Sequence, residues 1–519
     1  MQMAKEFFCT KTEPVVQTKA GKLRGFFLDG TYIFHGIRYA TAERFQMPKE
    51  VEPWEGIKDA LSYGYVCPIL NQPQPNGEVM VPHRYWPQNE DCLFLNLWTP
   101  SLDSTSKKPV IVWLHGGGFS DGSSIEHVAY DGENMSKFGD AVVISLNHRL
   151  NVLGYLNVSS LSEKYENSAN AGTEDMVAAL RWIRDNVANF GGDPDNVTLF
   201  GQSGGGAKIW TLMQTPSAFG LFHKGIIQSG VFDLLPVQEN NGKAICHALL
   251  EELGIPQAEG ERLAEVPYCQ LAEAYKKVAP ALEKRGEYVG LSPMQNAFML
   301  GDPRKVGFSD FAKTVPVMVG TVFGEFAFGP AIEDRTALSL EEKEAMIVKK
   351  YGDAAKELTA LFQEAYPEKD LTDLLFVDSL FRAPSRDFVV KRAAHKESPV
   401  YSYQFTFDFP YDGGHVAWHC CEIPFVFHNT DKVPYCNIPG VSDRLEEQLC
   451  GAWVNFARTG NPDHPSLPHW PVSTPEDEAL MVFDTETTVK HNFDAKLLEL
   501  LVKVTPKFSF EDTDEPIQH

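Results

Sequence analysis

The sequence predicts an α/β fold: a large, mostly parallel central sheet with helices on both faces. Four apolar runs of strand length, "CLFLNLWTP", "PVIVWLHGG", "AVVISLNHR" and "NVTLFGQSG", occur between residues 92 and 204. Their apolarity is continuous rather than alternating, which suits central strands covered from both sides. Between the last two, "TEDMVAALRWIRDNVANFGGDP" sets Met176, Val177, Leu180, Ile183 and Val187 at helical spacing, and "GGDP" stops it. Strand alternating with helix in this way is the pattern of a doubly wound sheet.

The remaining elements extend that plan in both directions. The opening runs "PVVQT", "KLRGFF" and "YIFHGIRYA", punctuated by glycine, read as hairpins leading into the sheet. Further strands are expected at "KGIIQSG", "VPVMVGT" and "PVYSYQFTF". Residues 235 to about 312 read as helices and loops and 338–396 as helices, excursions that roof the C-terminal edge of the sheet. No Ser/Gly linker, internal repeat or low-complexity run marks a boundary, so residues 1–519 are expected to form one elaborated domain.

Composition narrows the function. The chain is 43% hydrophobic, with 34 Phe, 17 Tyr and 9 Trp, which argues against disorder. A net charge of -24 opposes a nucleic-acid partner and serves solubility. Neither a signal-type h-region nor an apolar run of membrane-spanning length is visible, so no membrane association is expected. Nine cysteines, an odd number spread thinly, do not form a disulfide framework, and the expected location is cytoplasmic, with thiols reduced.

Chemistry concentrates at "VTLFGQSGGGAK". A strand ending near Phe200 meets a helix starting near Gly205, and Ser203 stands on the sharp turn between them. Strand and helix come so close there that Gly201 and Gly205 must lack Cβ atoms, the arrangement of a Gly-x-Ser-x-Gly nucleophile elbow. The following helix aims its N-terminal amides at the same spot. In "VIVWLHGGGFSDG", Gly116 to Gly118 directly follow a strand, and amides freed of side chains there can donate to a developing oxyanion. One such donor is worth roughly 3–4 kcal/mol of transition-state stabilisation.

Together "NEDCLFLNLWTP", "VWLHGGGF", "NHRLNVLGYL", "FGQSGGGA", "IIQSG" and "CEIPFVFH" resemble the type-B carboxylesterase and cholinesterase family of α/β-hydrolases, from about Val15 to Pro471. The resemblance implies that Ser203 is the nucleophile. It implies His419 as the base, three residues before Glu422 in "HCCEIPFVF"; His415 is the alternative, but its spacing to Glu422 does not fit. It implies Glu325, after the strand "VPVMVGT", as the acid, giving the chain order nucleophile, acid, base. The oxyanion hole is then expected from the amides of Gly117, Gly118 and Gly204, with His115 supporting that loop. Ser229 is implied as a buried partner near the acid and base, and Arg44 with Glu90 and Arg149 with Asp175 as structural ion pairs.

Several positions depart from the family's pattern. Gln202 and Gly204 stand where many relatives carry Glu and Ala, so a negative charge is missing beside the site and choline-ester specificity is not expected. Tyr85 and Trp86 do not match the family's aromatic anchor in distance from Cys92. Cys67 and Cys92 fall where secreted relatives form a disulfide, but free thiols are expected here, and Cys246 and Cys269 lack the spacing of the second bridge. Asn157 and Asn196 lie in N-x-S/T sequons, and Asn196 opens the elbow strand, so glycosylation is a poor inference.

The expected function is hydrolysis of small, mostly uncharged carboxylic esters through an acyl-enzyme, with no metal or organic cofactor. Amides, thioesters or lactones are the alternative substrates of the same triad. A non-catalytic binding domain of this fold is the competitor from another class; chains of that kind lose the nucleophile or base, and this one keeps both.

Overall fold

Within the single strand Lys108–Leu114, Ile111 and Trp113 enter one hydrophobic core while Val110, Val112 and Leu114 enter another. Side chains alternate across a strand, so a run without polar residues is what a sheet with two covered faces demands. The computed structural model describes residues 6–505 apart from 71–83, 85, 233–241, 328–334 and 412. Its central sheet has twelve strands: β1 (Phe7–Phe8), β2 (Phe26–Leu28), β3 (Thr31–Arg38), β4 (Phe94–Thr99), β5 (Lys108–Leu114), β6 (Val142–Leu146), β7 (Gly192–Gln202), β8 (Lys224–Gln228), β9 (Val317–Val322), β10 (Val400–Phe405), β11 (Ala479–Phe483) and β12 (Thr488–His491). Their spatial order is β1-β2-β3-β4-β6-β5-β7-β8-β9-β10-β11-β12.

From β6 through β11 every neighbouring pair is parallel. The chain leaves β5 toward β6 on one side and returns to β7 on the other. The order therefore reverses at β5, and ligands in open α/β sheets bind beyond the carboxyl ends of strands at such a switch point. The glycines after Leu114 and the serine after Gln202 both lie at this point.

Helices cover both faces. Helix α1 (Ala171–Asn186) brings Met176, Val177, Leu180 and Ile183 into one core, joined by Ile209 and Leu212 of α2 (Gly204–Met213). The α3 (Lys243–Glu252) and α4 (Tyr268–Glu283) helices pair over a third core of Ile245, Leu249, Leu271 and Leu282. On the opposite face of the sheet lie α5 (Leu340–Tyr351), α6 (Ala355–Ala365), α8 (Ser442–Thr459) and α9 (Ala495–Val504). Helix α7 (Arg382–Ala393) returns Phe388 and Val389 to the first face. Among the described residues no helix is long and apolar enough to cross a membrane.

The predicted strands are present, with three differences. "PVVQT" and the start of "KLRGFF" do not enter the main sheet. Val15–Gln17 and Lys22–Arg24 pair with Ile57–Asp59 in a separate three-stranded sheet. Gly25 parts the two sheets, and a Cβ there would meet the Ile33 carbonyl at 2.4 Å. Strands β11 and β12 are additions at the far edge. The elbow strand runs to Gln202 and its helix starts at Gly204, tightening the predicted turn to a single residue.

Candidate active site

Ser203 is that residue. Its φ of 56° and ψ of -125° place it outside the common backbone regions, at a cost of order 1–3 kcal/mol. The strain is held from two sides: Ser203 N–H donates to the Gln228 carbonyl at 2.8 Å, and its carbonyl accepts from Ala207 N at 3.1 Å. A Cβ on Gly205 would sit 2.0 Å from the Leu114 carbonyl oxygen, and one on Gly201 2.6 Å from the Gly205 carbonyl carbon. Both positions therefore require glycine, as expected from the sequence.

The second glycine cluster closes on the same turn. Gly117 and Gly118 have φ of 77° and 59°. A Cβ on Gly204 would lie 2.4 Å from both the nitrogen and the Cα of Gly118, so the two backbones are in direct contact. The Gly117 carbonyl accepts from Ser120 N at 3.2 Å and Asp121 N at 2.9 Å, leaving the Gly118 N–H directed the other way. Among the described residues, the amides of Gly117, Gly118 and Gly204 have no protein acceptor. Helix α2 adds its N-terminal dipole behind them.

Glu325 and His419 form a buried pair. The Glu325 carboxylate takes His419 Nδ1 on Oε2 at 2.5 Å. Its Oε1 accepts the Ser229 hydroxyl at 2.6 Å and the Val322 amide at 3.1 Å, so Ser229 lies where the sequence placed it. The loops are tied as well, with His419 N donating to the Glu325 carbonyl at 2.9 Å. The imidazole reaches the elbow through Gln202, whose Nε2 lies 3.2 Å from each of its ring nitrogens. Gln202 Oε1 in turn accepts from Cys420 Sγ at 3.1 Å. His415, the alternative base, instead contacts the Val416 carbonyl through Nδ1 at 2.9 Å.

Other expectations fall into place around this centre. His115 sets Nδ1 2.9 Å from the Gly116 carbonyl, inside the glycine loop. Arg44 pairs with Glu90, and Arg149 holds Asp175 through two bonds of 2.8 and 2.7 Å. Cys67 and Cys92 are free, buried thiols, and the neighbouring Cys67 together with burial pushes the Cys92 thiol well up. Trp86 packs edge-on against Tyr63, and Tyr85 lies outside the described residues. Asn157 is buried, and Asn196 lies within β7.

Four features escaped the sequence. Glu422 is buried and accepts Gln228 Nε2 at 3.1 Å; burial and the nearby Glu325 push its carboxyl up to about 7. Asp378 is raised likewise to about 7 by burial and Glu325, although the amides of Leu380, Phe381 and Arg382 donate to it at 2.8–3.0 Å. Phe326 and Phe381 flank the imidazole at ring-centroid distances of 6.2 and 5.2 Å, and Phe326 is 44% exposed. Lys208 is wholly buried beneath the glycine loop. Glu422 served the sequence reading only as a spacing landmark for His419, and what each of the four touches depends on which helix or loop folds back over the sheet. Among the described residues no cluster of three His, Cys, Asp or Glu side chains could hold a metal ion.

Comparison with known proteins shows the family. The sequence model of the Carboxylesterase family matches residues 12–501. Para-nitrobenzyl esterase of Bacillus subtilis is 32% identical over 494 residues, covering 93% of this chain and 97% of that protein. Phenmedipham hydrolase of Pseudarthrobacter oxydans is 35% identical over 494 residues, covering 92% and 96%. A solved esterase from Clostridium hathewayi, described as able to hydrolyse aliphatic aromatic polyesters, is 55% identical and superposes with a TM-score of 0.94, covering 96% of this chain and 100% of that one.

Proposed function

Because the chain belongs to the carboxylesterase family and is a carboxylic ester hydrolase, we propose that it works by two-step acyl transfer on Ser203. The Glu325–His419 pair, brought to the serine elbow by Gln202, is the observation that carries this reading. Free serine is a weak nucleophile and needs an oriented base. In the proposed cycle Ser203 Oγ attacks the ester carbonyl carbon while His419 takes its proton. Glu325 holds the Nδ1–H tautomer and stabilises the imidazolium. The carbonyl oxygen becomes an oxyanion held by the amides of Gly117, Gly118 and Gly204. The C–O bond to the alcohol then breaks as His419 protonates the leaving oxygen. Water repeats the sequence on the acyl-enzyme and frees Ser203.

The substrate class follows from what surrounds the imidazole. Gln202 offers no anion for a cationic group, and Phe326 and Phe381 present aromatic faces beside His419. Small uncharged esters carrying an aromatic ring fit such walls. Para-nitrobenzyl esters and aliphatic aromatic polyesters, the substrates named for two of the relatives, contain such rings. Amides, thioesters and lactones share the chemistry, and rates on matched ester and amide pairs separate them. We place the enzyme in the cytoplasm as one elaborated domain; its cysteines, thiols throughout the described residues, support a reducing compartment.

The test is a panel of p-nitrophenyl esters of increasing acyl length, with organophosphate labelling, on wild type and Ser203→Ala. The expected result is hydrolysis and labelling by wild type only, with kcat falling by roughly 10⁵–10⁶-fold in the variant. Hydrolysis surviving in Ser203→Ala would overturn the nucleophile.

A further inference from the structure

Lys208 is a lysine with no exposed surface, on the second turn of α2 behind Ser203. Nothing in the acyl-transfer cycle uses it. Its position is unfavourable for stability: a cation near a helix N-terminus opposes the helix dipole, and a buried charge costs several kcal/mol of desolvation. Its ammonium nevertheless makes defined contacts. Nζ donates to the His115 carbonyl at 2.8 Å and lies 3.5 Å from the Gly116 carbonyl. The same Gly116 oxygen contacts His115 Nδ1 at 2.9 Å.

These two carbonyls belong to the peptide units that lead into the oxyanion glycines. In a planar trans peptide the N–H points opposite the C=O. A Gly116 carbonyl held toward Lys208 therefore turns the Gly117 N–H away from the core. The geometry points to Lys208 as a positioning residue of the oxyanion loop: by gripping the His115 and Gly116 carbonyls it aims the Gly117 amide at the developing oxyanion. This inference rests on the esterase reading of the preceding subsection and adds to it the group that orients one of its donors.

Charge follows from the same surroundings. Glu126 and Asp121 are the carboxylates that face the ammonium, His115 and His148 are the imidazoles beside it, and the Phe119 ring lies 5.9 Å away. Burial outweighs the two carboxylates and brings the lysine down to about 7. Both imidazoles are held neutral by burial. The grip on the loop is charge-assisted only while the lysine is protonated, and charge-assisted bonds are roughly twice as strong as neutral ones. Turnover should therefore weaken on the alkaline side of neutrality.

The experiment measures kcat and KM for p-nitrophenyl acetate across pH in wild type, Lys208→Met and Lys208→Arg. Lys208→Met is expected to lose roughly 10–100-fold in kcat with KM changed less than about two-fold, and to lose the alkaline limb. Lys208→Arg, which keeps the charge at every working pH, should recover part of kcat and move that limb upward. A folded Lys208→Met with wild-type kcat, or one that keeps the wild-type alkaline limb, overturns the assignment. Should neither variant fold, the wild-type profile decides: a several-fold decline in kcat between about pH 7 and pH 9 supports the role, and a flat profile rejects it. A wild type that hydrolyses no ester at all would sink the esterase reading instead, so the two failures are distinguishable.

Discussion

Gln202 sets an amide nitrogen 3.2 Å from both ring nitrogens of His419. An amide there adds no charge, so it gives the imidazole no pull toward a second proton beyond that of Glu325. A carboxylate within about 4–6 Å would favour the imidazolium and raise its pKa by roughly 1–3 units. Gln202→Glu is therefore expected to move the acid limb of kcat/KM to higher pH by about one unit or more, because the base stays protonated longer. The same carboxylate should improve kcat/KM for a choline ester relative to its uncharged isostere. A pH–rate profile and that substrate pair check both; an unmoved acid limb would mean that the side chain turns away from the ring. At this scale the candidates Ser203, Glu325 and His419 could be singled out because motif order points to them. The Gln202 contact, Glu422 and Asp378 were not, because rotamer and packing decide what a buried polar group touches.

At the scale of elements, strand β5, strand β7 and helix α2 meet so closely that consecutive glycines do different work. A Cβ on Gly205 would strike the Leu114 backbone at 2.0 Å, inside the paired strands. Neither strand nor helix can yield there, so Gly205→Ala should cost about 3 kcal/mol or more of stability, read as a lower denaturation midpoint. A Cβ on Gly204 would instead strike Gly118, at 2.3 Å from its carbonyl oxygen, in a loop. Loops give way more readily than paired strands. Gly204→Ala should thus lower the midpoint less than Gly205→Ala does, while displacing a proposed oxyanion donor, with kcat falling roughly 10–100-fold. Equal stability losses in the two variants would refute this division. The elements themselves were readable where apolar runs were long and uninterrupted, as in β5 to β7 and α1. β11 was missed because "ALMVF" is five residues of mostly helix-favouring types, and pairing with β10 and β12 makes it a strand. β12 is an exposed edge strand with no apolar periodicity to reveal it.

For the whole molecule, the far edge of the sheet is assembled from segments 74 residues apart: β10 ends at Phe405 and β11 begins at Ala479. Arg382, at the start of α7, joins them across that gap. Its guanidinium holds Glu478 through two bonds of 2.8 Å and Asp494 through bonds of 2.8 and 2.9 Å, all buried. Ser402 of β10 donates to the same Glu478 at 2.7 Å. Removing one member of a buried ionic cluster strands its partners, at about 3–5 kcal/mol. Arg382→Met should lose that much stability near neutral pH while kcat per folded molecule stays at the wild-type value, since the guanidinium bonds to none of the residues proposed for the chemistry. The pH dependence has a definite sign. Burial alone would raise the Glu478 carboxyl, but Arg382 outweighs it and holds it below the usual range. Its contribution in wild type is therefore present above the unfolded carboxylate range near 4.5 and is lost as pH falls through the lower folded value. Without Arg382, burial dominates and the folded value rises, so the variant loses stability as pH climbs through that range instead. The gap between wild type and Arg382→Met should accordingly be small near pH 4 and widen toward about pH 7. Urea denaturation at a series of pH values measures that gap directly, and one that narrows toward neutrality would show that the arginine does not clamp this edge by charge.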